Sequence, residues 1–175
     1  MGSVLVAYAT KYGSTKEVAE AVAAALNERG MEVELKAAGD VENLAGYSAV
    51  VFGTAIYFPR PIREGRRFLS RHHDALAHAP FAAFALGPIK DAPEDFAGVR
   101  KQFDSSLAKH PDLKPAAVAI FGGVMDPETL KFPFNNPGMR AQGPSDIRDW
   151  DAIKETAEGL QGALGLGESE KGCAS

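Results

Sequence analysis

Cysteine is almost missing from this chain: Cys173 stands alone. It has no second thiol to pair with inside the molecule, so an internal disulfide is excluded and a reducing compartment fits. Long apolar runs are missing as well. None approaches the about 20 residues a membrane helix needs, so no transmembrane segment is expected. There is no excess of positive charge. The net charge of −4 disfavours nonspecific nucleic-acid binding, and no nucleic-acid partner is expected. Met1-Gly2-Ser3 leads directly into an apolar stretch, with no basic region or cleavage site. No signal peptide is read there, and the expected location is cytoplasmic. Two nucleotide fingerprints are also absent. Without G-x-G-x-x-G a dinucleotide Rossmann site is disfavoured, and without G-x-x-x-x-G-K-[ST] the chain is no P-loop NTPase.

What is present is ordinary for a globular fold: 175 residues, 45% hydrophobic and 24% charged. That length suits one domain with one sizeable core. Val4 to Ala9 is a short apolar run and reads as a buried strand. From Thr15 the period becomes helical, with Val18, Val22 and Leu26 four apart, and Gly30 as the stop. Ser14 and Glu17 have capping-box spacing. Met31, Val33, Leu35 and Ala37 alternate with charged residues, which predicts a half-wet strand at a sheet edge. Ala49–Phe52, Phe81–Leu86 and Ala116–Phe121 read as further dry strands. Phe96, Val99, Phe103 and Leu107 form a helical stripe, and a last helix is expected from about Trp150 to about Leu164, with bounds good to roughly 2–4 residues. Alternating strands and helices predict an α/β doubly wound, five-stranded parallel sheet of order 2-1-3-4-5, with helices on both faces. The domain is expected to span 1–164, with 165–175 a flexible tail. Gly122 to Asp149 forms a long irregular stretch, which in a compact domain suggests function or disorder.

In such a sheet, ligands sit beyond the carboxyl ends of the strands near the switch point. The first loop there is Thr10-Lys11-Tyr12-Gly13-Ser14-Thr15. Its hydroxyls can donate hydrogen bonds, Gly13 permits close backbone approach, and free N–H groups at a helix start favour an anion. These features suit a terminal phosphate; an ordinary capped loop is the alternative. A phosphoryl-accepting receiver domain would need acidic residues where this chain has Ala9 and Thr10, and an aspartate where it has Gly53 and Thr54.

Ala9 to Thr15 resembles the flavodoxin phosphate loop, S/T-x-T-G-x-T, with Tyr12 where threonine is usual. Val51–Ile56, Phe121-Gly122-Gly123 and Gly143–Trp150 extend the likeness to the group containing the menaquinone-dependent protoporphyrinogen IX dehydrogenases. The chain departs from that group at Tyr57-Phe58-Pro59, where Arg-Tyr-Gly is usual, and at Asp126–Gln142, which is short and polar in place of a long apolar insertion. The resemblance implies a flavodoxin-like fold and FMN as cofactor, with the phosphate on Thr10–Thr15. It implies that Gly53, Thr54, Ala55, Ile56 and Tyr57 line the flavin, with Tyr57 or Phe58 stacked on the ring. Leu86, Gly87 and Pro88 would form a second wall, and Gly122, Gly123 and Val124 would border the substrate side. No residue reads as a catalytic acid or base, as expected where a flavin carries the redox chemistry.

Arg60 and Arg63 follow the implied flavin loop and could tune its potential or attract an anionic substrate. Arg67 and Arg71 continue that spacing and read as a solvated face. His72, His73, His78 and His110 show no metal-ligand spacing and read as surface or boundary residues. Asp146 and Asp149 read as helix caps and Trp150 as a packing anchor. Two functions stay open: an FMN-dependent oxidoreductase acting on a small molecule such as a quinone or porphyrinogen, or a carrier passing electrons to a protein redox partner.

Overall fold

The structure is a computed structural model that describes residues 2–57, 60–131 and 135–167. Phe58, Pro59, Pro133 and the tail from 168 onward, with Cys173, lie outside the described residues. Along the chain run β1 (Ser3–Ala9), α1 (Ser14–Glu28), β2 (Val33–Ala37), a 3-10 turn (Ala38–Asp40), β3 (Tyr47–Tyr57), β4 (Arg60–Pro61) and α2 (Arg63–Ala77). There follow β5 (Phe81–Leu86), α3 (Pro93–Leu107), β6 (Ala117–Phe121), β7 (Val124–Met125), α4 (Pro137–Gln142), β8 (Ser145–Asp146) and α5 (Trp150–Ala163).

The main sheet has the order β2-β1-β3-β5-β6, parallel throughout. Counting only its long strands along the chain, this is the order 2-1-3-4-5. The two-residue β4 folds back antiparallel on the end of β3. Side chains alternate between the faces as the pleat requires. Val4 and Val6 join α1 and α5 through Val18, Val22, Ile153 and Leu160. Leu5 and Ala7 join α2 and α3 through Phe68, Leu69, Phe103 and Leu107. The second face is richer in aromatic rings, with Phe52 stacked on Phe68 at 4.7 Å. Truncating a ring of this kind to Ala costs about 3–5 kcal/mol.

Several local expectations change. β6 is half-buried over most of its length. It is an edge strand, and its alanines carry no sign of which side is wet. Ser14 and Glu17 form no capping box: Gly13 is the N-cap of α1, and no side chain caps it. Glu17 instead pairs with Arg148. Of the expected α3 stripe, Phe103 and Leu107 are buried, whereas Phe96 and Val99 are only half-buried. His72 is buried. Asp149 does cap α5 by accepting from Ala152 N–H at 3.0 Å, but Asp146 accepts from Arg148. Trp150 is 43% exposed and lies beneath the Arg148 guanidinium, 4.8 Å away. The 122–149 stretch carries its own order: β7 pairs with β8, and Ile147 N–H donates to Gly123 O at 3.2 Å. At the other end of α5, Gly165 turns the chain and Leu166 packs back on the core.

Candidate functional site

The carboxyl ends of β1, β3, β5 and β6 face one edge of the molecule. After β1, Gly13 takes φ +96°, a left-handed conformation that admits glycine at little cost, and turns the chain into α1. Gly13 N–H donates to Thr10 Oγ1 at 2.9 Å, which shapes the loop. With no side chain capping α1, its first-turn N–H groups stay available to an anion. Thr15 is fully buried, and its Oγ1 has no hydrogen-bond partner among the described residues. A buried orphan hydroxyl costs about 1–3 kcal/mol. A phosphate oxygen would supply the missing partner.

Beside this loop lies a cavity of about 480 Å³, within the range of small-molecule sites. Ser14 touches it from the loop side; Ala55, Ile56 and Tyr57 form one wall, and Leu86, Gly87, Pro88 and Ile89 another. Gly123, Val124, Met125, Leu130 and Met139 line the far side, and α3 contributes Glu94, Asp95, Val99 and Gln102. Gly123 N–H is tied to Pro88 O at 2.6 Å, and Ser145 Oγ donates to Ile89 O at 3.2 Å. These bonds hold the 122–149 segment against the β5 loop.

Tyr57 guards the junction of loop and cavity. The Tyr12 ring meets it edge-on at 5.9 Å, and Lys11 Nζ lies 5.5 Å from the Tyr12 centroid and 5.8 Å from that of Tyr57. Burial, and then the neighbouring Tyr12, push the Tyr57 phenol above its ordinary value, so it stays neutral. Tyr12 Oη accepts from Lys131 N–H at 3.2 Å, fastening the first loop to the last segment.

Thr10 to Thr15, Ala55 to Tyr57 and Leu86 to Pro88 are thus gathered around one loop and one cavity. Gly53 and Thr54 are placed elsewhere. Both lie inside β3, paired with Phe84 and Ala85. A Cβ on Gly53 would stand 2.1 Å from the Phe84 ring, so this glycine makes room for core packing. Thr54 is fully buried, with Gly65 of α2 packed against its hydroxyl. Gly122 lies just behind the cavity, where a Cβ would meet Ile147 O at 2.1 Å. Arg60 and Arg63 are exposed where β4 meets α2.

Sequence reasoning missed Arg148. Its guanidinium bridges Glu17 of α1 and Asp146, the latter at 2.6 Å, and its side chain is only 9% exposed. Hydrogen bonding to Arg148 holds the Asp146 carboxyl below its ordinary value and, with Glu17, raises the Arg148 guanidinium. Asp146 is a sequence neighbour, but nothing local joins Arg148 to Glu17, 131 residues away. His73 was also underread: its Nδ1 meets Asp112 at 3.1 Å and Asp74 at 3.3 Å, an exposed cluster whose ligand atoms lie within 4.8 Å of one another.

A family model described as the flavodoxin domain matches residues 5–133. The chain belongs to the flavodoxin-domain family. FMN is therefore the cofactor for which this site is read. The residues fit it: an uncapped helix start with an orphan hydroxyl for the phosphate, and an apolar cavity flanked by Tyr57 for the ring. No curated protein matches the sequence. Solved structures agree on the fold of this flavodoxin-domain chain. A short-chain flavodoxin associated with a non-canonical PDU bacterial microcompartment is 19% identical, with 94% of this chain and 99% of that one covered and a TM-score of 0.60. Two-electron reduced Megasphaera elsdenii flavodoxin is 16% identical, covering 90% and 97%, at 0.57. Oxidised Flavodoxin 2 from Bacillus cereus is 19% identical, covering 93% and 97%, at 0.53. Among the described residues no helix is long and apolar enough to cross a membrane.

Proposed function

We propose that the chain is an FMN-dependent oxidoreductase of the protoporphyrinogen dehydrogenase-like group, acting on a small redox partner such as a porphyrinogen or quinone. One observation carries this reading: Met125, Leu130 and Met139 line the cavity with apolar side chains. That apolar wall would face a small molecule lying beside a ring set against Tyr57. Bound FMN would accept and return the electrons. The protein's part is placement. Thr10, Gly13, Ser14 and Thr15 would hold the phosphate, and Ala55–Tyr57 and Leu86–Pro88 would hold the ring. Arg60 and Arg63 would draw an anionic partner such as a porphyrinogen bearing propionates. A second reading, an electron carrier, is favoured by Glu94 and Asp95 at the cavity, since acids near a flavin suit docking to basic proteins.

The two readings separate in a turnover assay of the FMN-loaded protein. Saturable oxidation of a porphyrinogen, with KM rising with salt, is expected. Rates linear in substrate, together with fast electron transfer to a basic protein acceptor, would establish the carrier instead. Cofactor released from the protein should co-migrate with FMN; recovery of FAD alone would contradict the phosphate-site assignment.

A further inference from the structure

A second groove of about 470 Å³ lies apart from the flavin cavity and shares no lining residue with it. It runs between α2 and the 3-10 turn after β2, lined by Ala38, Gly39, Glu64, Arg67, Arg71 and His72, among others. Arg67 and Arg71 stand four apart, so both reach the same side of α2. Both are exposed, and neither makes an ion pair among the described residues. With Glu64 the only acid among the described residues on these walls, the groove is locally positive in a chain of net charge −4. Its inner wall holds a polar group in want of a partner. His72 is 5% exposed, and its Nε2 makes no hydrogen bond among the described residues. On the opposite wall, the Gly39 Cβ position has open space within 4 Å, so a ligand can approach the backbone.

We propose that this groove is a second anion site, binding the phosphate group of a small molecule through Arg67 and Arg71, with His72 at its buried end. Guanidinium forks match phosphate oxygens, and two forks on successive helical turns can share one dianion. The third oxygen then faces the wall to which His72 belongs. Burial lowers the His72 imidazole and repulsion by the nearby Arg71 adds to this, against a hydrogen bond to the Val41 backbone that favours the charged form. An anion between the arginines offsets that repulsion. The site sits at the carboxyl end of an edge strand, the side on which open α/β sheets take ligands.

The test is an NMR titration of FMN-saturated protein, in which the flavin phosphate already fills the first loop. The probes are inorganic phosphate, ribose 5-phosphate and, at matched ionic strength, chloride. Saturable shifts of the His72 ring and of the Arg67 and Arg71 side-chain resonances are expected with both phosphates and not with chloride. Tighter binding of ribose 5-phosphate identifies an organic phosphate as the ligand, and equal binding identifies the free anion. The variant Arg67→Gln/Arg71→Gln alters exposed side chains only, so its amide spectrum should match wild type while phosphate binding weakens at least about tenfold. An unmoved His72 ring, equal shifts with chloride, or full affinity in the double variant would each overturn the proposal.

Discussion

Helices α1 and α3 both start at the ligand edge of the sheet and meet it in opposite ways. α1 is buried from its first turn to its last, from Thr15 to Leu26. α3 is buried only through Phe103, Ser106 and Leu107 in its second half. Its first half stands off the sheet and walls the cavity with Glu94, Asp95 and Val99. Their charges differ too. α3 opens with Pro93, Glu94 and Asp95, so its own acids answer its positive end. α1 has one first-turn acid, Glu17, and that is engaged by Arg148. The tightly seated helix therefore offers charge and backbone donors, and the stand-off helix offers room.

The largest effect should come from overfilling the roomy side. Gly122→Val places carbon where Ile147 O now sits, and backbone cannot step aside cheaply. A loss of about 1–3 kcal/mol is expected, measured by urea unfolding. Hydrogen exchange should speed at Gly123 and Ile147 while amides in β1 and α1 keep their protection. Equal loss of protection at α1 would show that the two sides are one unit and end the contrast.

Thr15→Val probes the tight side and should act with two signs. Removing the orphan hydroxyl should raise the stability of the cofactor-free protein by about 1 kcal/mol. FMN affinity should fall roughly ten- to a hundredfold, whereas riboflavin, which lacks the phosphate, should bind almost as before. Isothermal titration with both ligands checks this. Equal losses would remove the phosphate from α1.

Arg60→Gln/Arg63→Gln should matter less, because both residues are exposed. FMN affinity should hold, and the flavin potential should fall by about 10–30 mV after screening, as read by spectroelectrochemistry. A potential insensitive to these changes and to salt would leave the rim arginines as a solvated face.

The smallest effect sets two adjacent histidines of α2 against each other. Hydrogen bonding to Asp112 raises the His73 imidazole. Its stabilisation is thus complete below the ordinary histidine range and fades as pH rises through the elevated value. Burial lowers His72, whose contribution is present above the ordinary range and is lost as pH falls toward the depressed value. The stability–pH profiles of His73→Gln and His72→Gln should deviate from wild type with opposite slopes between pH of about 5 and 8. Slopes of the same sign would contradict the burial difference.

Strand order and the first loop were legible because both rest on short-range pattern. Dry runs mark central strands, the wet alternation of β2 marks an edge, and Thr10 to Thr15 combine hydroxyls, a glycine and a helix start within a few residues. β6 misleads because Ala117 and Ala119 look alike on a wet or a dry side. Gly53 reads as space for a ligand until the Phe84 ring is seen across the ladder. Arg148 and Glu17 are 131 residues apart, and their meeting depends on how the last segment docks. His72 and His73 look equivalent in a string, and only the tilt of α2 against the 3-10 turn decides which is covered.

The Tyr12–Lys131 bond joins positions 119 apart in the chain. On a ribosome, the first loop is made early and must wait for most of the protein before its neighbour exists. β1 and β2 can pair long before then, but the cavity wall of Met125, Leu130 and Met139 and the Arg148 bridge all follow the last strand of the main sheet in the chain. A nascent or prematurely ended chain would hold much of the sheet without a finished pocket. Completion of the pocket is in that sense a late event in the life of the molecule, set by the docking of the segment that carries Lys131.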